Sequence, residues 1–147
     1  MKCSRALSLF GFLLFSFAQC FAHHMAVVVN KDNNTGEVSS ARLGRIFRLE
    51  TRKWGDEKDV VIVLHTDSVG ETLTLERLNK MSGNELKSFI SSHKDSFTFV
   101  DSDADVLRFV ETTPGAVGLV EVHSIDDQVN VLKVDGKLPM ETGYLPH

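Results

Sequence analysis

The residues best placed to do chemistry follow an uninterrupted apolar run. Asp59 to His65 (DVVIVLH) leads directly into His65-Thr66-Asp67-Ser68-Val69-Gly70-Glu71-Thr72, a strand running into a helix N-terminus. Such a junction offers unsatisfied backbone N–H groups and the positive end of the helix dipole, which together suit an oxyanion. The donors fall around Ser68, Val69, Gly70 and Thr72, and His65 adds attraction when protonated. Glu71 acts in the opposite sense, because a carboxylate in the first helical turn satisfies the dipole itself and repels an incoming anion. Ser68 and Glu71 also stand at the spacing of a capping box, so the same residues read as a plain helix start.

A second chemistry lies at His23-His24-Met25. If processing exposes His23 as the N-terminal residue, its α-amine and imidazole can chelate copper together, with His24, His65, His93 or His123 adding a second imidazole and Met25 a soft ligand. No H-E-x-x-H motif or cysteine-containing zinc spacing accompanies these histidines. Catalysis finds no support. The chain has no G-x-S-x-G elbow, no P-loop, no cysteine nucleophile outside the leader, and no evident acid/base pair of carboxylates. We therefore expect a non-enzymatic protein without a cofactor.

The elements that must position the turn alternate in type. Met25 to Asn30 (MAVVVN) reads as a buried strand closed by a turn-rich Lys31 to Gly36, and Ser39 or Ser40 caps a helix carrying Leu43, Ile46 and Phe47. Asp59 to His65 is apolar on both faces and suits an interior strand with helices on either side. A helix opened by Ser68 carries Leu73, Leu75, Leu78 and Met81, and another spans Glu85 to Ser92. Ser102 or Asp103 caps a further helix that ends at Thr113-Pro114-Gly115, and Ala116 to Val122 and Val129 to Val134 are the last strands. This order predicts an α/β fold, a mixed sheet of about five strands flanked by helices. Trp54 is expected to fill core or rim volume, and Arg42, Arg45, Arg48, Arg52 and Lys53 form a positive stripe that is either solvated or a docking surface for a partner.

Composition bounds these readings. The 147 residues carry 16 Lys+Arg against 20 Asp+Glu, a net charge of −4, with 42% hydrophobic and 24% charged residues. That balance describes one folding domain and lacks the basic footprint of a nucleic-acid binder. Lys2 and Arg5, the apolar run Ala6 to Phe17 and the small residues of Cys20-Phe21-Ala22 have the form of a secretory signal, so we expect residues 1–22 to be removed after Ala22. The apolar run is shorter than the ~20 residues of a bilayer span. Acylation at Cys20 is the competing reading, with Gln19 a poor residue before it. Removal of the leader takes Cys3 and Cys20, the only cysteines, and leaves residues 23–147 as a periplasmic or secreted domain without disulfides.

In order and spacing, AVVVNKDN, SSARLGRIFRLETRKWGD, VVIVLHTDSVGETLTLERLNKMSG, DADVLRFVETTPGAVGLVEV and VNVLKVDGKLP resemble the phosphate ABC-transporter substrate-binding protein family. Ile46-Phe47, Trp54-Gly55-Asp56 and Thr113-Pro114-Gly115-Ala116-Val117-Gly118 carry the resemblance most specifically. It implies a periplasmic-binding-protein-like fold and a role in phosphate binding for transport. The family's binding turn reads Arg-x-Asp-Gly-Ser-Gly-Thr. This sequence sets His65 against the Arg, retains Asp67 and Gly70, and places Ser68, Val69 and Glu71 against the Gly, Ser and Thr. The resemblance thus completes the candidate ligand-binding set as His65, Asp67, Ser68, Val69, Gly70 and Thr72. Full-length members close two lobes on the anion, whereas residues 23–147 correspond to a single lobe. Open-faced, weak binding of phosphate or a similar oxyanion is the expectation, unless a second copy or a protein partner supplies the other wall. A protein-interaction lobe with no small ligand is the alternative.

Overall fold

The computed structural model describes residues 23–146, so the leader read over residues 1–22 lies outside the described residues. Its elements are β1 (Met25–Val29), β2 (Glu37–Val38), α1 (Ser40–Phe47), β3 (Val61–His65), α2 (Val69–Asn79), α3 (Gly83–Ser92), β4 (Phe97–Val100), α4 (Asp103–Thr112), β5 (Ala116–Glu121), β6 (Asn130–Val131) and β7 (Lys133–Val134). Single-turn 3₁₀ segments occupy Lys94–Ser96 and Val122–Ser124.

The four α-helices among the described residues begin in the same way. Ser39, Ser68, Ser82 and Ser102 each turn Oγ onto the N–H three residues further on, which satisfies one of the orphan donors of the first turn. The choice between Ser102 and Asp103 thereby goes to Ser102, and Asp103 is free for another task.

The main sheet has the order β4-β3-β5-β1-β6. β3 is parallel to both β4 and β5, while β1 runs antiparallel to β5 and β6. The helical segments between β3, β4 and β5 serve as crossovers that cover both faces. On one face Val27, Val29, Ile62, Leu64, Val117 and Leu119 join a core with Leu43 and Ile46 of α1, Leu75 of α2 and Leu86 of α3. On the other, Val28, Val63 and Val120 pack on Val106, Leu107 and Val110 of α4. A period of two in β-branched residues therefore fills both faces of one sheet. At Gly118 an added Cβ would lie 2.8 Å from a methyl of Val106 and of Val63, so α4 approaches β5 across a residue without a side chain.

Two parts of the sheet depart from the sequence reading. β4 was not expected, and Val129 to Val134 is not one strand. β6 pairs with β1 in the main sheet, β7 pairs in parallel with β2 in a separate two-stranded sheet, and fully buried Leu132 stands between them with its N–H on Val27 O at 2.9 Å. At the change of sheets the alternation shifts by one residue, from Val129 and Val131 to Leu132 and Val134.

The segment after β7 folds back onto the core. The buried hydroxyl of Tyr144 donates to Leu132 O (2.6 Å) and accepts from Val27 N–H (3.2 Å), and burial pushes its pKa up to about 12. Tyr144→Phe leaves both backbone groups without this partner. We expect a loss of ~1–3 kcal/mol in urea unfolding, with the slope of the transition unchanged. Wild-type stability in the variant would show that the hydroxyl is dispensable.

Candidate functional site

β3, β4 and β5 are parallel, so their C-terminal ends share one edge of the sheet, the edge at which α/β sheets hold ligands. The N-termini of α2 and α4 meet there, and antiparallel β1 brings His23 to the same place.

The turn itself is built by hydrogen bonds. Asp67 takes a left-handed conformation, with φ 61°, which a short polar side chain tolerates. Ser68 N–H donates to His65 O (3.3 Å), and Ser68 Oγ accepts from Glu71 N–H (3.2 Å). Thr72 Oγ1 donates to Ser68 O (2.8 Å), so in this arrangement its proton is committed to the helix. Glu71 does not complete a capping box. Its Oε2 accepts from His65 N–H at 2.9 Å, tying the helix back to the end of the strand.

This geometry corrects the opposition expected from Glu71. The side chain is turned inward and is 4% exposed, and Oε1 has no hydrogen-bond partner. Burial, and secondarily the charge of Asp103, raise its pKa to about 8 against the pull of the His65 N–H. Near neutral pH the group is mostly an uncharged acid. It neither cancels the helix dipole nor repels an anion as an exposed carboxylate would.

The candidate residues divide between two environments. His65, Asp67 and Thr72, with Thr66 and Glu71, border a groove of about 540 Å³ between α2 and α3 that continues along Leu75, Leu86 and Phe99. Ser68, Val69 and Gly70 do not line it. Val69 is 60% exposed, and Gly70 is buried where an added Cβ would meet Met25 Sδ at 2.7 Å and His23 Cβ at 2.9 Å. Gly70 thus serves close packing of β1 on α2.

Two functional neighbours were not legible as such. Asp103 Oδ1 stands 2.9 Å from His65 Nδ1, while Oδ2 accepts from Glu121 N–H (3.0 Å) and Ser124 O–H (2.8 Å). One carboxylate therefore fixes the ends of β3 and β5 and leaves only Nε2 of His65 for a ligand. Glu121 in turn lies between two imidazoles, His23 Nδ1 at 2.9 Å and His123 Nδ1 at 3.2 Å. An acid at the start of a helix that follows a strand could have pointed to Asp103, since alternating α/β elements bring such positions to one edge.

Of the histidines considered for copper, His23 and His123 meet at Glu121. Among the described residues no group of three or more His, Cys, Asp or Glu is placed to hold a metal ion. Met25 is buried, and His93 Nδ1 pairs with Phe89 O at 2.8 Å. Among the described residues no helix is long and apolar enough to cross a membrane.

No family model matches the chain. The phosphate-binding protein PstS of Bacillus subtilis is 29% identical over 131 residues, covering 83% of this chain and 41% of PstS. Among solved structures, a phosphate-binding protein of Stenotrophomonas maltophilia superposes with a TM-score of 0.66 at 18% identity, over 80% of this chain and 40% of that one. A Clostridium perfringens protein, described as a phosphate ABC transporter substrate-binding protein and solved with bound phosphate, gives 0.64 at 19% identity, over 77% and 45%. PstS of Borrelia burgdorferi gives 0.60 at 16% identity, over 79% and 49%. The chain is similar to phosphate ABC-transporter substrate-binding proteins and has their fold, spanning less than half of their length.

Proposed function

We propose that residues 23–147 form one lobe of an exported, non-catalytic solute-binding protein, with residues 1–22 as its secretion signal. In this reading the turn from His65 to Thr72 holds phosphate or a similar oxyanion weakly, in a site open to solvent. The observation that carries it is the buried, unpartnered Oε1 of Glu71 beside the groove at the N-terminus of α2. With Oε2 accepting from His65 N–H, the proton of the neutral acid belongs on Oε1, a donor that lacks an acceptor. Held neutral there, Glu71 leaves the open end of the helix, with its complementary dipole, to an oxyanion in the groove. The likeness to PstS and to the phosphate-bound Clostridium protein supports phosphate as the first ligand to test.

Isothermal titration of residues 23–147 tests the reading. Phosphate should bind with a dissociation constant on the order of millimolar, as suits an anion left half in water. Affinity should fall roughly tenfold between pH 7 and pH 9, following the fraction of Glu71 still protonated above its pKa of about 8. Sulfate, whose charge is constant over this range, separates titration of the protein from that of phosphate. A Glu71→Gln variant, which cannot ionise, should bind sulfate without this dependence on pH. No heat with either anion at tens of millimolar would remove the proposal.

A further inference from the structure

Four cations, Arg45, Arg48, Arg77 and Lys80, gather at the far end of α2 from this turn. Lys87 is the one lysine or arginine bordering the Glu71 groove. Between α1 and the last turn of α2 lies another groove, of about 520 Å³, bordered by Arg45, Arg48, Arg77 and Lys80 and, among the described residues, by no carboxylate. Arg48 is already held, with Nη1 donating to Asn79 Oδ1 (3.2 Å) and the remaining guanidinium nitrogens to Glu50 (3.2 and 3.3 Å). The exposed side chains of Arg45, Arg77 and Lys80 make no hydrogen bond or close ion pair among the described residues, although Arg45 lies near enough to Glu50 to help hold its carboxyl below the usual range.

Cations in a last helical turn complement the dipole, and this accounts for Arg45 and Arg77 taken singly. It does not account for their convergence from two helices on one acid-free groove, or for Arg42 extending the row one turn further back. Arg42 to Arg48 covers ~9 Å of helix axis, too long a row for a single phosphate. The uncharged lining, Ala41, Gly44, Leu78 and Pro146, suits side chains rather than a bare polyanion. With a net charge of −4, the chain lacks the overall basicity of a nucleic-acid binder.

We infer that this groove docks an acidic segment of a partner protein, its carboxylates meeting Arg45, Arg77 and Lys80 and its apolar atoms covering Ala41, Leu78 and Pro146. Guanidinium forks match carboxylates in pairs, and such fields steer association in a salt-dependent way. The site is separate from the Glu71 groove, so a failed phosphate titration leaves it untouched.

The test is fluorescence anisotropy of residues 23–147 with a labelled peptide in which Glu alternates with Ala. Binding should saturate and weaken severalfold between ~50 and ~300 mM salt. Arg45→Glu/Arg77→Glu should lose it at least ~tenfold, and Arg45→Gln/Arg77→Gln to a lesser degree, while Lys31→Glu/Lys133→Glu, with the same change in charge elsewhere, stays within about twofold. Equal losses in the groove and control variants would overturn the inference. So would inorganic tripolyphosphate or phosphatidylserine vesicles binding the groove more tightly than the peptide, which would reassign it to a small anion or a lipid surface. Thermal unfolding of each variant separates lost binding from lost fold.

Discussion

Replacing Gly115 with alanine is expected to lower the melting temperature by more than ~10 °C, while Gly36→Ala changes it by no more than a degree or two. Gly115 ends the Thr113-Pro114-Gly115 turn with φ +79°, a conformation that costs a residue with a Cβ ~1–2 kcal/mol. An added Cβ would also lie 2.0 Å from the carbonyl oxygen of Asp59, a backbone atom on the segment entering β3. Neither side can yield without a further loss. Gly115 O accepts from Val61 N–H (3.0 Å), which begins the pairing of β3 with β5, and from the indole N–H of Trp54 (2.9 Å). Moving Gly115 therefore pulls on the sheet register and on a buried tryptophan together. Overpacking adds ~1–3 kcal/mol to the conformational term. At Gly36 no atom lies within 4 Å of the added Cβ, so it is the matched control. Calorimetry decides, and equal melting of the two variants would show that the turn tolerates a side chain.

The same turn shows what the sequence could reveal. Thr113-Pro114-Gly115 was legible as a helix stop, since its backbone demands are local. The strands at β1, β3 and β5 were legible because burial on both faces leaves near-continuous β-branched runs, and the caps of α1, α2 and α4 to within one residue because each acts within three residues of itself, whereas the Ser82 cap of α3 was not. β4 was not. Its sequence FTFV is short and lies at the sheet edge with Phe99 44% exposed, so it shows no full strand pattern. The break at Leu132 was marked only by a one-residue shift of the alternation, from Val129 and Val131 to Leu132 and Val134, which is short enough to read as one strand. At the candidate site, spacing identified the cap formed by Ser68. It could not show that Glu71 reaches back to the strand, that His23 and Met25 cover Gly70, or that Asp103 holds the His65 ring. The last two are contacts between elements distant in sequence, and the first depends on which way the Glu71 side chain turns.

Glu71 supplies the other large effect. In the unfolded chain its carboxyl ionises near 4.5, whereas in the fold burial keeps the proton up to about 8. Between those values the native state binds a proton that the unfolded state has released, so stability declines as pH rises. The steepest contribution is about 1.4 kcal/mol per pH unit. Over the whole window the loss is on the order of 3–5 kcal/mol, complete only above the folded pKa. Glu71→Gln keeps an acceptor for the His65 N–H and cannot ionise. Denaturant unfolding at pH 5, 7 and 9 should therefore show wild-type stability falling relative to the variant, with the variant the more stable of the two at pH 9. Parallel curves would mean that Glu71 is solvated in the native state and ionises normally. The direction matters for the site as well, because deprotonation that loosens the β3–α2 junction also places a negative charge at the N-terminus of α2. Fold stability and anion affinity should then weaken through the same pH window, an association that a carboxylate merely capping an exposed helix would not produce.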